Sequence, residues 1–559
     1  MVVRTLINKI GVKTVIPLLF ILIAVNAIAQ HKFDVVIYGG SAGGYSAAIQ
    51  VARMGKSVAL LEPTNRVGGN VVEGLGGTDI DNHKEFRNSP AVGGLALEFY
   101  RRVAKAYGRE DAFEKMLRAG EKNTALWRME SSVAERLIKS WLSEYKIAVF
   151  YKARLSESKD AVLKKDNKIV HVKTESGNVF DAKIFIDATI EGDLLAAAGV
   201  HTTVGRESNQ TYNETMNGIQ SETTHAQFLV KVDPYKIPGD SLSGLIPTIQ
   251  DEPLGTPGAA DKHLQAYCFR VCLTKKPDNK IAFYKPINYK SGDYEIYLRY
   301  LKAGGKLYKP SADIPNGKTD LGAWHDLSHN LYGMNMDYPE GSYKTRKAIL
   351  DSHETFTKGL FYFLATDPEV GQLDPSLQKE WGSWGYAKDE FTDNNGFPGM
   401  FYVRDARRMV SDYVITQNHV KFTDPIPVED PVCVAYWKTD VHSVRRIVRN
   451  GAAYNEGYIF GGTAKWRPLP ISYRALVPRR TECINLLTPT CPSSSHLAYG
   501  AIRIEWTFMA LGQAVGAAAV LAINNRSAVQ DVPYAKLKEI LLKQGAVLDA
   551  GSVGLPDAF

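Results

Sequence analysis

"YGGSAGGYSAAI", residues 38–49, nearly spells the glycine-rich turn that cradles a dinucleotide, but it carries Ser41 where the second glycine belongs. The flanking residues decide how the stretch is read. Upstream, "FDVVIYG" is an apolar, β-branched run ending at Gly39, the pattern of a buried strand. From Gly44 the pattern turns helical in "GYSAAIQVARMG", with Gly55 placed as a helix stop. "SVALLE" is then a second buried strand, and it ends at Glu62. Strand, turn, helix, strand and terminal acid thus follow one another within about 30 residues, as the dinucleotide fingerprint requires.

Each position in this unit has a physical task. Gly39 makes the tight turn off the strand, and Gly44 lets helix and strand approach closely. Gly40, Ser41, Ala42 and Gly43 complete a cradle whose helix N-terminus offers free N–H groups to a pyrophosphate. Ser41 is small, and its hydroxyl is expected to donate to phosphate. Glu62 is placed to accept hydrogen bonds from ribose hydroxyls, and its carboxylate would repel a 2′-phosphate, which argues against NADP. "EPTNRVGGN" follows at once and adds Pro63, Arg66, Gly68, Gly69 and Asn70. A nicotinamide dehydrogenase normally continues there with a helix, whereas this chain continues with more glycine-rich loop, "EGLGGTDID". Such a loop lets backbone approach a flavin and its ribityl arm, so the expected cofactor is FAD.

A second half of the site is expected far along the chain. "KIFIDAT" reads as a strand that would place Asp187, Ala188 and Thr189 at the carboxyl edge of a sheet, where doubly wound folds bind ligands. "AIRIEWTFMALGQAVGAAAVLAI", residues 501–523, is helical in composition and apolar nearly all round. Gln513 and its glycines favour a buried core helix over a membrane span. Its N-terminal end, with Arg503, Glu505 and Thr507, would then aim a positive helix dipole at the flavin.

These stretches together resemble the FAD-dependent oxidoreductase family, in its heterodisulfide-reductase-like group. The resemblance runs through "VVIYGGSAGGYSAAI", "LLEPTNRVGGN", "FIDATIEGDLLAAAGV", "ISYRALVPRR" and "CPSSSHLAYGAIRIEWTFMALGQAVG", and so covers nearly the whole chain. In that family Ser or Thr is common at the position of Ser41. Two departures stand beside it: a proline is usual at Ala42 and an alanine at Gly43. The resemblance implies an α/β, glutathione-reductase-like, Rossmann-type FAD domain assembled from residues 30–205 and 481–559, with an inserted α+β substrate domain over 206–480. The ferredoxin-like cysteine modules of true heterodisulfide reductases are missing from this sequence.

Bulk properties set the remaining bounds. A chain of 559 residues is too long for one core. Formal charge is +7, of which Arg4, Lys9 and Lys13 supply three, and the rest is too weak to argue for nucleic acid or a membrane surface. The N-terminus reads as a secretory signal: a basic stretch, an apolar run from Val15 to Val25, and the small-residue site Ala27-Ile28-Ala29. Residues 1–29 are therefore expected to be cleaved, leaving an exported, periplasmic or secreted protein without a membrane span. Five cysteines show no CxxC pair; no metal is expected, and the iron–sulfur alternative would draw on Cys272, Cys483 and Cys491.

For chemistry, flavin would carry the hydride, and the chain must supply an acid or base. His496 in "CPSSSHLAYG" and His442, two residues after Asp440, are the candidate bases, with His325 and His329 behind them. Arg404, Arg407 and Arg408 in "YVRDARRM" fall at helical spacing, where a guanidinium fork could hold a substrate carboxylate or a flavin phosphate. Arg474, Arg479 and Arg480 are similar candidates, and "EFTDNNGFPG" (390–399) is a loop suited to a polyol. The expected partners are a small polar substrate, such as a carbohydrate or other hydroxyl compound, and an electron acceptor left open. A periplasmic protein that binds flavin without turnover is the other class considered.

Overall fold

The computed structural model describes residues 29–82, 86–460 and 466–555. The leader lies outside them except for Ala29. The first strand, β1 (Gln30–Tyr38), lies at the middle of the main sheet, parallel to β2 (Val58–Leu61) on one side and to β6 (Val179–Asp187) on the other. β3 (Ala148–Phe150) extends the β2 edge, giving the order β3-β2-β1-β6. An antiparallel hairpin, β4 (Val162–Lys165) and β5 (Lys168–Lys173), pairs with the first half of β6. The second half of β6 pairs in parallel with Leu486–Leu487, about 300 residues downstream.

Burial on both faces explains the unbroken apolar run of β1. Val35 and Ile37 pack on the helical side, and Val36 and Tyr38 pack into a second core with Ile169, Phe185 and Leu486. Helix α1 (Ala42–Arg53) covers the first face, as the periodicity of residues 44–55 predicts. The long helix Glu505–Asn525 lies against α1 and is buried inside the protein. Small residues set that contact: a Cβ on Gly512 would fall 2.2 Å from the Gly43 carbonyl oxygen, and one on Gly516 would fall 2.8 Å from that of Ala47. This helix is apolar all round because protein, not lipid, surrounds it.

The C-terminal stretch is not one continuous helix. His496–Ile502 stops, Arg503 and Ile504 leave helical geometry, and Glu505 begins anew. At this break the Arg503 guanidinium donates to the backbone carbonyl and side chain of Asp440. Residues 206–480 hold the 24-residue helix Tyr343–Thr366, shorter helices, and several short antiparallel pairs such as Arg445–Arg449 with Ala452–Glu456.

Candidate active site

Two cavities lie along the sheet's carboxyl edge and beyond it. The first, of about 250 Å³, opens over the glycine turn and is lined by Gly39, Gly40, Ser41, Glu62, Pro63, Arg66, Gly69 and Asn70 from the first βαβ unit. Ala188, Thr189 and Glu505 close it from the far side, so both expected halves of the site meet there.

The turn leaves no room for side chains. Gly39 has φ +99°, and a Cβ on it would come within 2.6 Å of the Ala188–Thr189 peptide. A Cβ on Gly44 would sit 2.0 Å from the Gly39 carbonyl oxygen. A Cβ on Gly43, where the resembling family carries alanine, would come 2.8 Å from the Pro489 ring, which explains the missing methyl. The Ser41 hydroxyl does not await a phosphate. It donates to the Ala188 carbonyl at 2.6 Å and accepts from the Gly44 N–H at 3.3 Å, so it caps α1 and ties it to the end of β6. Backbone N–H groups of Ala42 and Gly43 in the first helical turn remain as the anion donors.

Glu62 accepts from the N–H groups of Gly40 (2.8 Å) and Thr64 (2.6 Å) at the wall of this cavity. Asp187 does not face it. Its carboxylate binds the Thr189 N–H and hydroxyl and the Leu195 N–H, which shapes the turn after β6. Arg66 reaches Glu73, Glu135 and Asp393, and so pins the loop after β2 to the segment near 393–399. Gly68, at φ +140°, donates to the Gly40 carbonyl. Asn70 donates to Glu505 at 2.9 Å, joining that loop to the start of the long helix. Thr507, two residues further along the helix, is buried and does not line the cavity. The bare turn, the free helix N-terminus and the Glu62 carboxylate fit the pyrophosphate and ribose of FAD. Replacing Glu62 by Gln should weaken FAD binding to the cofactor-free protein by roughly 10–100-fold, the value of charged hydrogen bonds lost to the ribose. Fluorescence titration checks this, and unchanged affinity would remove Glu62 from the cofactor site.

Burial also raises three acids here. Glu62, Asp187 and Glu505 are each pushed up to about 7, against their hydrogen bonds. A raised acid favours the folded state while protonated. Their contribution is therefore complete below about pH 4 and is lost as pH rises through about 7, on the order of 3 kcal/mol for each. Thermal unfolding of the cofactor-free protein should show a falling Tm from pH 5 to pH 8, and a flat Tm would contradict these environments.

The second cavity, of about 370 Å³, has a mixed wall of arginines, carboxylates and aromatic rings. His442 and Asp440 stand together on it, with His442 Nε2 3.6 Å from Asp440 Oδ1. Burial and the neighbouring Arg404 guanidinium hold the His442 imidazole down to about 3, so it is neutral at ordinary pH. Arg503 and His442 keep Asp440 well below the usual carboxylate range, although burial opposes them. Asp79 also faces this cavity, in a left-handed conformation (φ 59°) and with its carboxyl pushed by burial up to about 6.

Several sequence candidates sit elsewhere. His496 lines neither cavity; its Nδ1 lies 3.1 Å from Asp405, and its backbone N–H donates to Glu207 at the start of its helix. His329 is fixed by the Tyr308 hydroxyl and the Phe269 carbonyl, and residues 325–329 are not helical. The spacing of Arg404, Arg407 and Arg408 predicts one helical face, but the segment is extended. Arg404 turns into the second cavity, Arg407 binds Asp193 and the Glu191 carbonyl, and Arg408 binds Glu207. Arg474, Arg479 and Arg480 form ion pairs with Asp430, Asp412 and Asp531. The loop 390–399 spends its carboxylates on the protein: Glu390 on Lys318 and Ser132, and Asp393 on Arg66.

Cys272 packs with Ile314, Ala387 and Phe391, whereas Cys483 and Cys491 belong to the core under the sheet, so the three thiols do not form one ligand set. Among the described residues, the acids Glu130, Asp389 and Glu390 converge, and the Lys318 ammonium fills that position at 2.7–2.8 Å from each. Residues that sequence reasoning missed include Asp79, Arg270, Asp320, Trp324 and Tyr458 of the second cavity, and Arg154 and Tyr343 of the first.

A parallel sheet whose first turn holds a bare glycine cradle, closed by a helix from the other end of the chain, defines a dinucleotide-binding protein. Residues 34–541 match the family described as FAD dependent oxidoreductase, and the chain belongs to that family. The cofactor of that family is FAD. No curated protein matches the sequence. Among solved structures, it is similar to L-proline dehydrogenase from P. horikoshii (16% identity, TM-score 0.24, 32% of this chain and 59% of that one). It is also similar to L-amino acid deaminase from Proteus vulgaris (15% identity, TM-score 0.22, 32% and 53%) and to T. acidophilum thioredoxin reductase (18% identity, TM-score 0.17, 34% and 40%). In each case the match spans less than two thirds of the solved chain.

Proposed function

We propose that this flavoenzyme oxidises a hydroxyl group of a small polar compound, of which a carbohydrate is the preferred class, and that the second cavity is where it does so. The observation that carries the reading is the His442–Asp440 pair on the wall of a cavity lined by both rings and charges. FAD, once bound, supplies the two-electron acceptor for such a reaction. The chain's own part is to hold the substrate and move a proton. Oxidation of an alcohol to a carbonyl releases the hydroxyl proton, and neutral His442 takes it on Nδ1, which has no hydrogen-bond partner among the described residues, against the burial and the Arg404 charge that disfavour the imidazolium. Asp440 then stabilises the resulting imidazolium. Trp324, half exposed at the cavity and stacked on His325 at 3.9 Å, offers a flat apolar face to a sugar ring.

Residues 206–480 act in this reading as the substrate domain, since they carry most of the second cavity's wall. The basic and apolar leader supports export, and the electron acceptor is then an extracytoplasmic one. The test is anaerobic titration of the flavin-loaded protein with a panel of sugars, polyols and hydroxy acids. Bleaching of the flavin by at least one class is expected. If none bleaches it while dithionite does, alcohol oxidation is the wrong reaction.

A further inference from the structure

Four arginines stand at or directly behind the second cavity, and three have carboxylate partners. Arg128 reaches Asp313 (3.5 Å), Arg270 reaches Asp320 (2.6 Å), and Arg503 reaches Asp440 (2.9 Å). Asp79, the remaining acid of the wall, lies in the field of Arg270 and Arg503 and accepts from Asn82. Arg404 is the exception. Only 1% exposed, it donates to the carbonyls of Ala266 and Ala323, to Asn330 and to the Cys268 sulfur, and among the described residues no carboxylate lies within ion-pair distance. Its Nε has no hydrogen-bond partner among the described residues. A buried guanidinium whose hydrogen-bond acceptors are all neutral, and on which Asp440 acts only at longer range, is costly, and a counter-charge arriving with a ligand would offset that cost.

Apart from His442 Nδ1, the base of the proposed reaction, three further unpartnered atoms of the wall agree in kind. Arg404 Nε, Arg128 Nε and Trp127 Nε1 are buried without acceptors among the described residues, and each can only donate. An occupant that satisfies them must bring acceptors.

We propose that the compound bound in the second cavity is a hydroxy acid, a sugar acid by class, whose carboxylate is the counter-ion of Arg404. This rests on the proposed alcohol oxidation for its chemistry but not for its binding. Arg404 is thereby a specificity residue, and the neutral polyol of the same size is the poorer ligand.

The test pairs congeners on the flavin-loaded protein: gluconate and glucuronate against sorbitol and glucose, with glucose 6-phosphate as a second anion. Binding is read by tryptophan quenching and flavin spectral shift, and reduction is read separately by anaerobic bleaching. The acids should bind at least tenfold more tightly than the neutral sugars. Arg404→Gln should remove that preference, and Arg404→Lys should restore part of it, with retained flavin colour reporting that both variants fold. Acid-selective binding without bleaching would support the carboxylate assignment while overturning the alcohol-oxidation reading. Equal or tighter binding of neutral sugars, preference for the phosphate, or no binding of any acid would overturn the assignment. So would a preference that survives in Arg404→Gln. If both Arg404 variants are colourless, the congener comparison on the unaltered protein decides alone.

Discussion

Alanine at Gly44 should yield a protein that retains no FAD and is less stable by about 3 kcal/mol, the upper part of the overpacking range. The added methyl would lie 2.0 Å from the Gly39 carbonyl oxygen and 3.2 Å from the Ala188 Cβ. Neither obstacle is the loose end of a side chain. To make room, α1 must withdraw from β1, and that movement carries Ser41 off the Ala188 carbonyl and the free N–H groups away from the pyrophosphate position. Gly292, where a Cβ meets nothing within 4 Å, provides the control, and its alanine variant should lie within about 0.5 kcal/mol of the parent. Flavin absorbance after gel filtration and thermal unfolding give the two readouts. A yellow, stable Gly44→Ala protein would mean that the cradle does not hold the cofactor as described.

The second large effect is expected at His442. Its alanine variant should keep the flavin spectrum, because His442 lies on the second cavity and not on the glycine turn. Its rate of anaerobic flavin reduction by a substrate identified in the panel should fall by roughly 10²–10⁴, the span of a lost general base. Asp440→Asn should fall less, since it leaves the imidazole in place, although it removes the charge that faces both His442 and Arg503. A reduction rate within threefold of the parent in His442→Ala would show that another group, such as Asp79, takes the proton.

How much of this could be read from the amino acids alone depended on whether the signal was local. The βαβ unit was legible because a strand run, a turn that only glycine tolerates and a helical period follow one another within a single stretch, and each needs only its neighbours to form. The late helix was legible from its composition, but its start was not. The break falls at Arg503 and Ile504, where Arg503 bonds Asp440, a contact far off in sequence that leaves no local signal. The run of arginines after Tyr402 misled for a related reason. Helical spacing is a statement about solvent-facing side chains, whereas Arg404 and Arg408 are fully buried and satisfy carbonyls that an extended segment brings to them. His442 with Asp440 could be paired by their short separation. Asp79, Arg270 and Trp324 could not be joined to them, because only the folded topology brings those three loops to one wall.

The parallel partner that Leu486–Leu487 gives to β6 has a consequence for synthesis. β6 ends at Asp187, and the helix that covers α1 ends at Asn525. At roughly 5–20 residues per second, a ribosome needs on the order of 15–70 s to make what lies between. Throughout that interval the nascent chain carries an open strand edge and an uncovered greasy helix, the surfaces that chaperones bind and that aggregate when left unattended. A transcript cut short before the last hundred codons therefore leaves no partly working enzyme, only a substrate for proteolysis.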